Sequence, residues 1–371
     1  MELRSGESRA GGTRPKNGGV AIYRRGVSVG ISLGVMRYRR SQTAATEETM
    51  KSRKIVLGTR GSELARAQTR LVEEAIRDAH PDVTIETKIV ATRGDKVRVV
   101  DPRAGRKGMF TAEIERALLA QYVDIAVHSA KDLPSERGLR AEIAAALPRA
   151  PMDDVLVSKH PGGLSSLPDG AMVATGSVRR RHQLLWKRTD LNIVDLRGNV
   201  PNRLRKLAEN EWDAVVLARA GLERLGLLHA RTEISFEGQR FFLEILPYEV
   251  FLPAGGQGII VLQVRSDDQR TKTIVDPIND RGTLLCLRAE REFLRRLQGD
   301  CNCPVGVLAK IEGGKMKMRA QIFFEGSVAP HQGEVEGEPD ERERLAAELL
   351  DRLRAPAPAQ SYGSAGQHED E

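Results

Sequence analysis

A chain of 371 residues with 40% hydrophobic content is long enough to bury two or three cores. Three cysteines exclude a disulfide framework and point to a reducing compartment. No run of about 18 apolar residues occurs, which excludes a membrane-spanning helix. The net charge of +7 looks like a nucleic-acid signal, but residues 1–49 hold nine Lys/Arg against four Glu, so only +2 is left for the rest. With 4% aromatic residues, the stacking platforms of single-strand binders are scarce too.

Residues 1–49 are rich in Gly, Ser and Arg without periodicity and read as disordered. Two explanations stand for them: an Arg-rich transit peptide, or sequence upstream of a natural start at Met50. From there a strand–loop–helix rhythm sets in. "KIVLG" leads through "TRGS" into "ELARAQTRLVEEAIRDA", with Ser62 as N-cap and Leu64, Leu71, Val72, Ala75 and Ile76 on one face. The helix "FTAEIERALLAQ" precedes the strand "YVDIAVHS". "AMVAT" leads through "GS" into "VRRRHQLLWKR". "LNIVDL" leads through "RGN" into "VPNRLRKLAENEW", with Pro201 in the first turn. "DAVVLA" is followed by "RAGLERLG". Such alternation predicts α/β domains with largely parallel sheets. After about residue 280 a helix "TLLCLRAEREFLRRL", strands "GVLAKIEG" and "KMKMRAQIFF" and a helix near 340–354 predict a smaller α+β module. "PRAPMDD" (148–154) reads as a linker, and "FLPAGGQG" (251–258) as the chain crossing back. "FEGQRFFLEIL" (236–246) carries no assigned role.

Three of the loops place arginine where a strand ends and a helix begins: Arg60, the pair Arg179 and Arg180, and Arg197 with Arg203. Free N–H groups and the positive dipole end favour anions there, and guanidinium matches carboxylate or phosphate two-pronged. One such loop is ordinary surface charge; three together imply a polyanionic ligand. Nucleotide signatures, G-x-x-x-x-G-K-[ST] or G-x-G-x-x-G after a strand, are absent. "VDIAVHSAKDLP" ends a buried strand in His128, Ser129, Lys131 and Asp132, where charge can serve chemistry or simply cap a turn. "PRAGRKGMFT" is a basic loop that covers a site or is solvated. "LQGDCNCPVG" holds Cys301 and Cys303 as C-x-C, which supplies too few ligands for zinc and the wrong spacing for a thioredoxin-like pair. An inert loop cysteine and a nucleophile or attachment point both remain open.

In order and without large gaps, "TRGSELARAQ", "VATRGD", "KGMFTAEIE", "DIAVHSAKDLP", "ATGSVRRRHQL", "LRGNVPNRL", "LARAGLERLG", "LPAGGQG" and "GDCNCPVG" resemble the porphobilinogen deaminase family from about Lys54 to Arg354. The resemblance implies two periplasmic-binding-protein-like α/β lobes plus a small C-terminal α+β domain. The corresponding division is an N-terminal extension 1–52, domain 1 at 53–150 with a return at about 255–276, domain 2 at 151–254, domain 3 at 277–354 and a tail at 355–371. It implies a transferase that joins four porphobilinogens head to tail, releases ammonia and frees hydroxymethylbilane by hydrolysis. It also implies a dipyrromethane cofactor on Cys301, with Cys303 as a packing residue, and no metal. Asp132 matches the family's catalytic aspartate. Arg179, Arg180, Ser129, Lys131, Ser177 and Lys107 match cofactor contacts; Arg60, Arg197, Arg203, Gln257 and Phe110 match substrate contacts. Asp300 stands where glycine is usual, and Arg103 where lysine is. The implied protein is a monomer without nucleic-acid or membrane partners, cytoplasmic, or plastid if residues 1–49 are a transit peptide. The competing reading is a non-enzymatic, two-lobed carboxylate-binding protein.

Overall fold

The computed structural model describes residues 54–93, 109–135, 138, 140–228, 232–297, 304–327 and 329–355. The first lobe begins with β1 (Lys54–Thr59), α1 (Glu63–Ala79), β2 (Thr84–Ile89), α2 (Ala112–Leu119), β3 (Ile125–Ser129) and β4 (Ala141–Ala146). The chain then crosses to the second lobe: β5 (Asp154–Ser158), β6 (Met172–Ala174), α3 (Val178–Lys187), β7 (Asn192–Val194), α4 (Val200–Glu209), β8 (Ala214–Ala218), α5 (Arg219–Arg224), β9 (Glu233–Phe236) and β10 (Gln239–Leu246). It returns as β11 (Ile260–Arg265) and α6 (Gln269–Val275). The C-terminal domain holds α7 (Arg281–Leu297), β12 (Val305–Glu312), β13 (Lys315–Ile322), β14 (His331–Gly337) and α8 (Arg342–Arg354).

Both lobes are built on one plan. The first sheet runs β2-β1-β3-β11-β4 and the second β7-β6-β8-β5-β10-β9. In each, three parallel strands are followed by one antiparallel strand that has come from the other lobe, β11 in the first and β5 in the second. The sheets are therefore mixed rather than largely parallel, because each lobe lends the other a strand running the opposite way. The unassigned stretch 236–246 is the β9–β10 hairpin. Its turn residues Glu237 and Gly238 both have positive φ, 48° and 78°, the backbone of a two-residue hairpin whose twist matches the strands.

Packing follows the alternation of each strand. Val155 and Val157 of β5 face α4 and Phe241, while Leu156 faces α3 and Phe251. In the first lobe Ile55 and Leu57 of β1 pack with Val72 and Ile76 of α1. Leu71 departs from the predicted face and is 40% exposed, because the buried stripe of α1 runs through Ala67, Gln68, Thr69, Val72 and Ile76. In the C-terminal domain α7 and α8 cover one face of a three-stranded antiparallel sheet, with Phe293, Met316, Met318 and Leu349 in the core.

A buried ion pair ties this domain to the crossing segments. Arg149 Nη1 lies 2.6 Å from Glu290 Oε1 on α7, and Glu290 also accepts from Gly256 N at 2.6 Å and Ala309 N at 2.8 Å. Glu290 sits amid Cys286, Leu287, Phe293 and Leu294, a charge inside an apolar stripe. No helix of the described residues is long and apolar enough to cross a membrane.

Candidate functional site

The site grows from the carboxyl ends of β1, β3, β6 and β7, where side chains leave a buried strand for a helix start. Ser62, Ser177 and Asn199 cap α1, α3 and α4, each accepting from a backbone N–H three residues on. Two loops of the second lobe abut: a Cβ on Gly176 would lie 2.5 Å from Leu196 O, so only glycine lets the loop of Ser177 reach that of Arg197. Across the lobes, a Cβ on Gly221 would meet Leu64 of α1 and Val200 of α4 at 3.7 Å each, so those helix starts face one another.

At the centre is Asp154, the first residue of β5 and wholly buried. Its carboxylate receives Arg179 Nη2 at 2.8 Å, Arg180 Nη2 at 2.6 Å and Gln257 Nε2 at 3.0 Å. Burial pushes this carboxyl up, but the two guanidiniums outweigh it and hold it well below the usual carboxylate range. Arg179 also donates to Leu252 O and Gln183 Oε1, and Arg180 to Val216 O. Gln257 links the lobes, since its Oε1 lies 3.4 Å from Lys131 Nζ and its Nε2 donates to Met152 O. Burial, and next the Arg180 charge, push the Lys131 ammonium down to about 8, against the opposing pull of Asp132 and Asp154.

Lys131 and Asp132 occupy the turn Ala130–Asp132 directly after β3. The glycine loop presses on that turn: Gly256, at φ 78°, leaves no room for a Cβ, which would sit 3.0 Å from Lys131 N. Ser129 is tied to α1 through Gln68 Nε2 at 2.8 Å. Arg60 lies under the Phe110 ring, 4.2 Å from its centroid. His128 is buried, and burial foremost, with Arg60 adding to it, pushes its imidazole down to about 4. Arg197 donates to Asp195 at 2.9 Å and Arg203 to Gly198 O at 2.8 Å.

Lys131, Gln257, Arg179 and Arg180 thus meet around one carboxylate, with Asp132 beside them. Arg60 with Phe110, and Arg197 with Arg203, form flanking groups. Lys107, Cys301, Cys303, Asp300 and Arg103 lie outside the described residues, as do residues 1–49. Sequence reasoning missed Asp154, which it placed in a linker; the available signal was an acid leading directly into the apolar run "DVLVS". It also gave no role to Arg224, whose Nη2 donates to Gly258 O at 2.6 Å and whose guanidinium burial pushes down to about 10.

The family description "Porphobilinogen deaminase, dipyromethane cofactor binding domain" matches residues 55–273, and "Porphobilinogen deaminase, C-terminal domain" matches 284–355. The chain belongs to the porphobilinogen deaminase family. Porphobilinogen deaminase of Roseiflexus sp. (strain RS-1) is 44% identical over 269 residues, 72% of this chain and 85% of its own. That of Syntrophomonas wolfei is 41% identical over 302 residues, 81% and 95%. Among solved structures, the Methionine Binding Protein, MetQ, is 15% identical with a TM-score of 0.37 over 64% of this chain and 90% of its own. That score is low enough that the two-lobed architecture rests on the strand order instead. This deaminase is a transferase of tetrapyrrole biosynthesis: it condenses four porphobilinogens with release of ammonia and hydrolyses the product to linear hydroxymethylbilane. The carboxylate-binding, non-enzymatic reading falls away. Its cofactor is dipyrromethane, and the site fits such a group. The buried Nε atoms of Arg179 and Arg180 have no hydrogen-bond partner among the described residues, and a carboxylate of such a group would supply an acceptor of the kind they lack.

Proposed function

We propose that Asp132 is the catalytic carboxylate and that Cys301 carries the dipyrromethane. Asp132 carries the reading by its position: it stands directly beyond a buried strand, beside a lysine and two arginines that can hold carboxylates. Each condensation breaks the C–N bond of an aminomethylpyrrole and forms a C–C bond to a pyrrole carbon. The proton leaving that carbon balances the ammonia released. When bound, the dipyrromethane supplies the pyrrole end to which the first unit is joined. Asp132 stabilises the positive charge that develops on the substrate pyrrole as the amine departs, and it takes part in moving the proton. Arg179, Arg180, Lys131, Ser129, Ser177 and Lys107 hold cofactor carboxylates. Arg60, Arg197 and Arg203 hold those of the substrate and the growing chain, with Phe110 stacked on Arg60. Gln257, itself 1% exposed, acts through Lys131 and Asp154.

Of the described residues that flank Cys301 in sequence, Leu297 ends α7 and Val305 opens β12. We assign domain 1 to 53–150 with 255–276, domain 2 to 151–254 and domain 3 to 277–354; the membership of strands in sheets supports this division. The protein is taken as a monomer of the cytoplasm that binds no nucleic acid, and the weak basic excess beyond residue 49 supports the last of these.

The test is single-turnover kinetics on cofactor-loaded Asp132→Asn. Elongation slows roughly a hundredfold to a thousandfold, as for loss of a preorganised charge-stabilising group, while porphobilinogen affinity changes far less. Near-normal elongation would reduce Asp132 to a turn cap. Loading is read from intact mass: Cys301→Ser lacks the added dipyrromethane and Cys303→Val retains it, and the opposite pattern reverses the assignment.

A further inference from the structure

The amide of Gln321 on β13 is wholly buried against the second lobe. Its Oε1 accepts from Gln183 Nε2 at 2.6 Å. Gln183, on α3, is wholly buried as well; its Nε2 also donates to Leu252 O at 3.0 Å, and its Oε1 accepts from Arg179 Nη1 at 3.2 Å. Arg179 ends at Asp154. A continuous chain of hydrogen bonds therefore runs from the C-terminal domain to the carboxylate at the centre of the site.

The direction of every amide in it is dictated by Arg179. A guanidinium only donates, so Gln183 must turn its oxygen towards Arg179 and its NH2 towards Gln321, and Gln321 must answer with oxygen. That arrangement leaves Gln321 Nε2 buried without a partner among the described residues. A leucine would fill the same space and remove that NH2, but it would strand one N–H of Gln183, so what glutamine adds here over an apolar residue is the acceptor for Gln183. The interface is close: a Cβ on Gly306 would lie 2.6 Å from Leu252 Cβ and 3.2 Å from Gln183 Nε2. Phe323 covers it, packed against His182 and Trp186 at 5.4 and 6.4 Å between ring centroids.

We infer that Gln321 is a positioning residue: by fixing Gln183 it orients Arg179 at Asp154, so that seating of the C-terminal domain on the second lobe sets the carboxylate-binding arginine. The inference rests on the proposed role of Arg179 in holding cofactor carboxylates, and so in placing the pyrrole end against which the incoming porphobilinogen seats, which is why KM on loaded enzyme reads it. If Gln321 is lost, Gln183 keeps only Leu252 O and Arg179 as partners, and with one anchor fewer its amide holds the tilt of Arg179 less firmly. Phe323 offers the comparison, since it docks the same two surfaces without belonging to the chain of amides.

Steady-state kinetics and melting temperature are measured on cofactor-loaded Gln321→Leu, Phe323→Ala, Arg179→Gln and the double variant Gln321→Leu with Arg179→Gln, loading being checked by intact mass. Gln321→Leu raises KM for porphobilinogen roughly tenfold, short of the hundredfold that a misplacement of about an ångström costs, with a melting temperature close to that of the parent. Phe323→Ala lowers the melting temperature and leaves KM unchanged. In the double variant the Gln321 effect disappears, as expected when both act through one group. Wild-type KM in Gln321→Leu, with KM raised in Arg179→Gln, overturns the inference alone. Wild-type KM in Arg179→Gln sinks the role of the arginine and the inference with it. Equal KM effects in Gln321→Leu and Phe323→Ala overturn the relay in favour of simple docking. Gln321→Met replaces Gln321→Leu if the latter does not fold.

Discussion

Lys131 owes its chemistry to neighbours from three segments. Burial, with Arg180 and Arg179 on one side and Asp132 and Asp154 on the other, brings its ammonium from 10.5 down to about 8. Because the folded value lies below the unfolded one, the cost of charging it is fully present below pH 8 and fades as pH rises towards 10.5, so this group makes stability increase over that window. Function runs the other way. If the ammonium holds carboxylates, kcat/KM, which reports the free enzyme, falls as pH climbs through 8. A guanidinium remains charged until about pH 12 or beyond, so Lys131→Arg removes that falling limb while leaving the rest of the profile in place. Superimposable profiles of parent and variant would show that another group titrates there. The sequence displayed Lys131 and Asp132 plainly, as charge following a hydrophobic strand. It could not display the second lobe's carboxylate next to them, because Asp154 and Lys131 meet only through the crossing of the chain.

At the scale of elements, legibility tracked local chemistry. The cap Ser62 and the first-turn Pro201 mark helix starts that the structure places at Glu63 and Val200. Strands β2, β4 and β14 went unread, and their burial patterns explain it: β2 and β14 are half-exposed, and β4 is alanine-rich, so none shows a clean apolar period. Helix α7 was read correctly as an element and incompletely as a surface. Glu290 lies on its apolar face, where a carboxylate demands a partner, and it finds Arg149 together with the N–H groups of Gly256 and Ala309. Glu290→Gln keeps the shape but turns an NH2 towards one of these donors. Breaking a buried pair from one side costs about 3–5 kcal/mol. The expected result is a fall in melting temperature of roughly 4–8 °C, scaled to a chain of this size. A change of less than about 2 °C in thermal unfolding would mean that water substitutes freely at the pair.

At the scale of the molecule, the lobes are joined where two segments lie side by side. The outgoing segment donates Ala150 N to Gly258 O at 3.1 Å and Arg149 Nε to Gln257 O at 3.0 Å, and Arg224 of the second lobe bonds the same Gly258 oxygen. Gly258 has φ 86°, and a Cβ there would lie 2.4 Å from Ala150 O, a backbone atom that cannot rotate aside. Gly226 provides the control, with φ 65° and nothing within 4 Å of its Cβ. Alanine in this backbone region costs about 1–2 kcal/mol by itself, and Gly226→Ala carries that cost alone. Gly258→Ala carries it and in addition forces the two segments apart, shifting Gln257 against Asp154 and Lys131. Its melting temperature therefore falls well below that of Gly226→Ala, and its turnover drops while Gly226→Ala keeps the parent rate. Differential scanning calorimetry with a steady-state assay on the two cofactor-loaded variants decides the matter. Equal losses in both would mean that the crossing gives way without disturbing the site, and that the glycine at 258 answers to its own backbone rather than to the junction of the lobes.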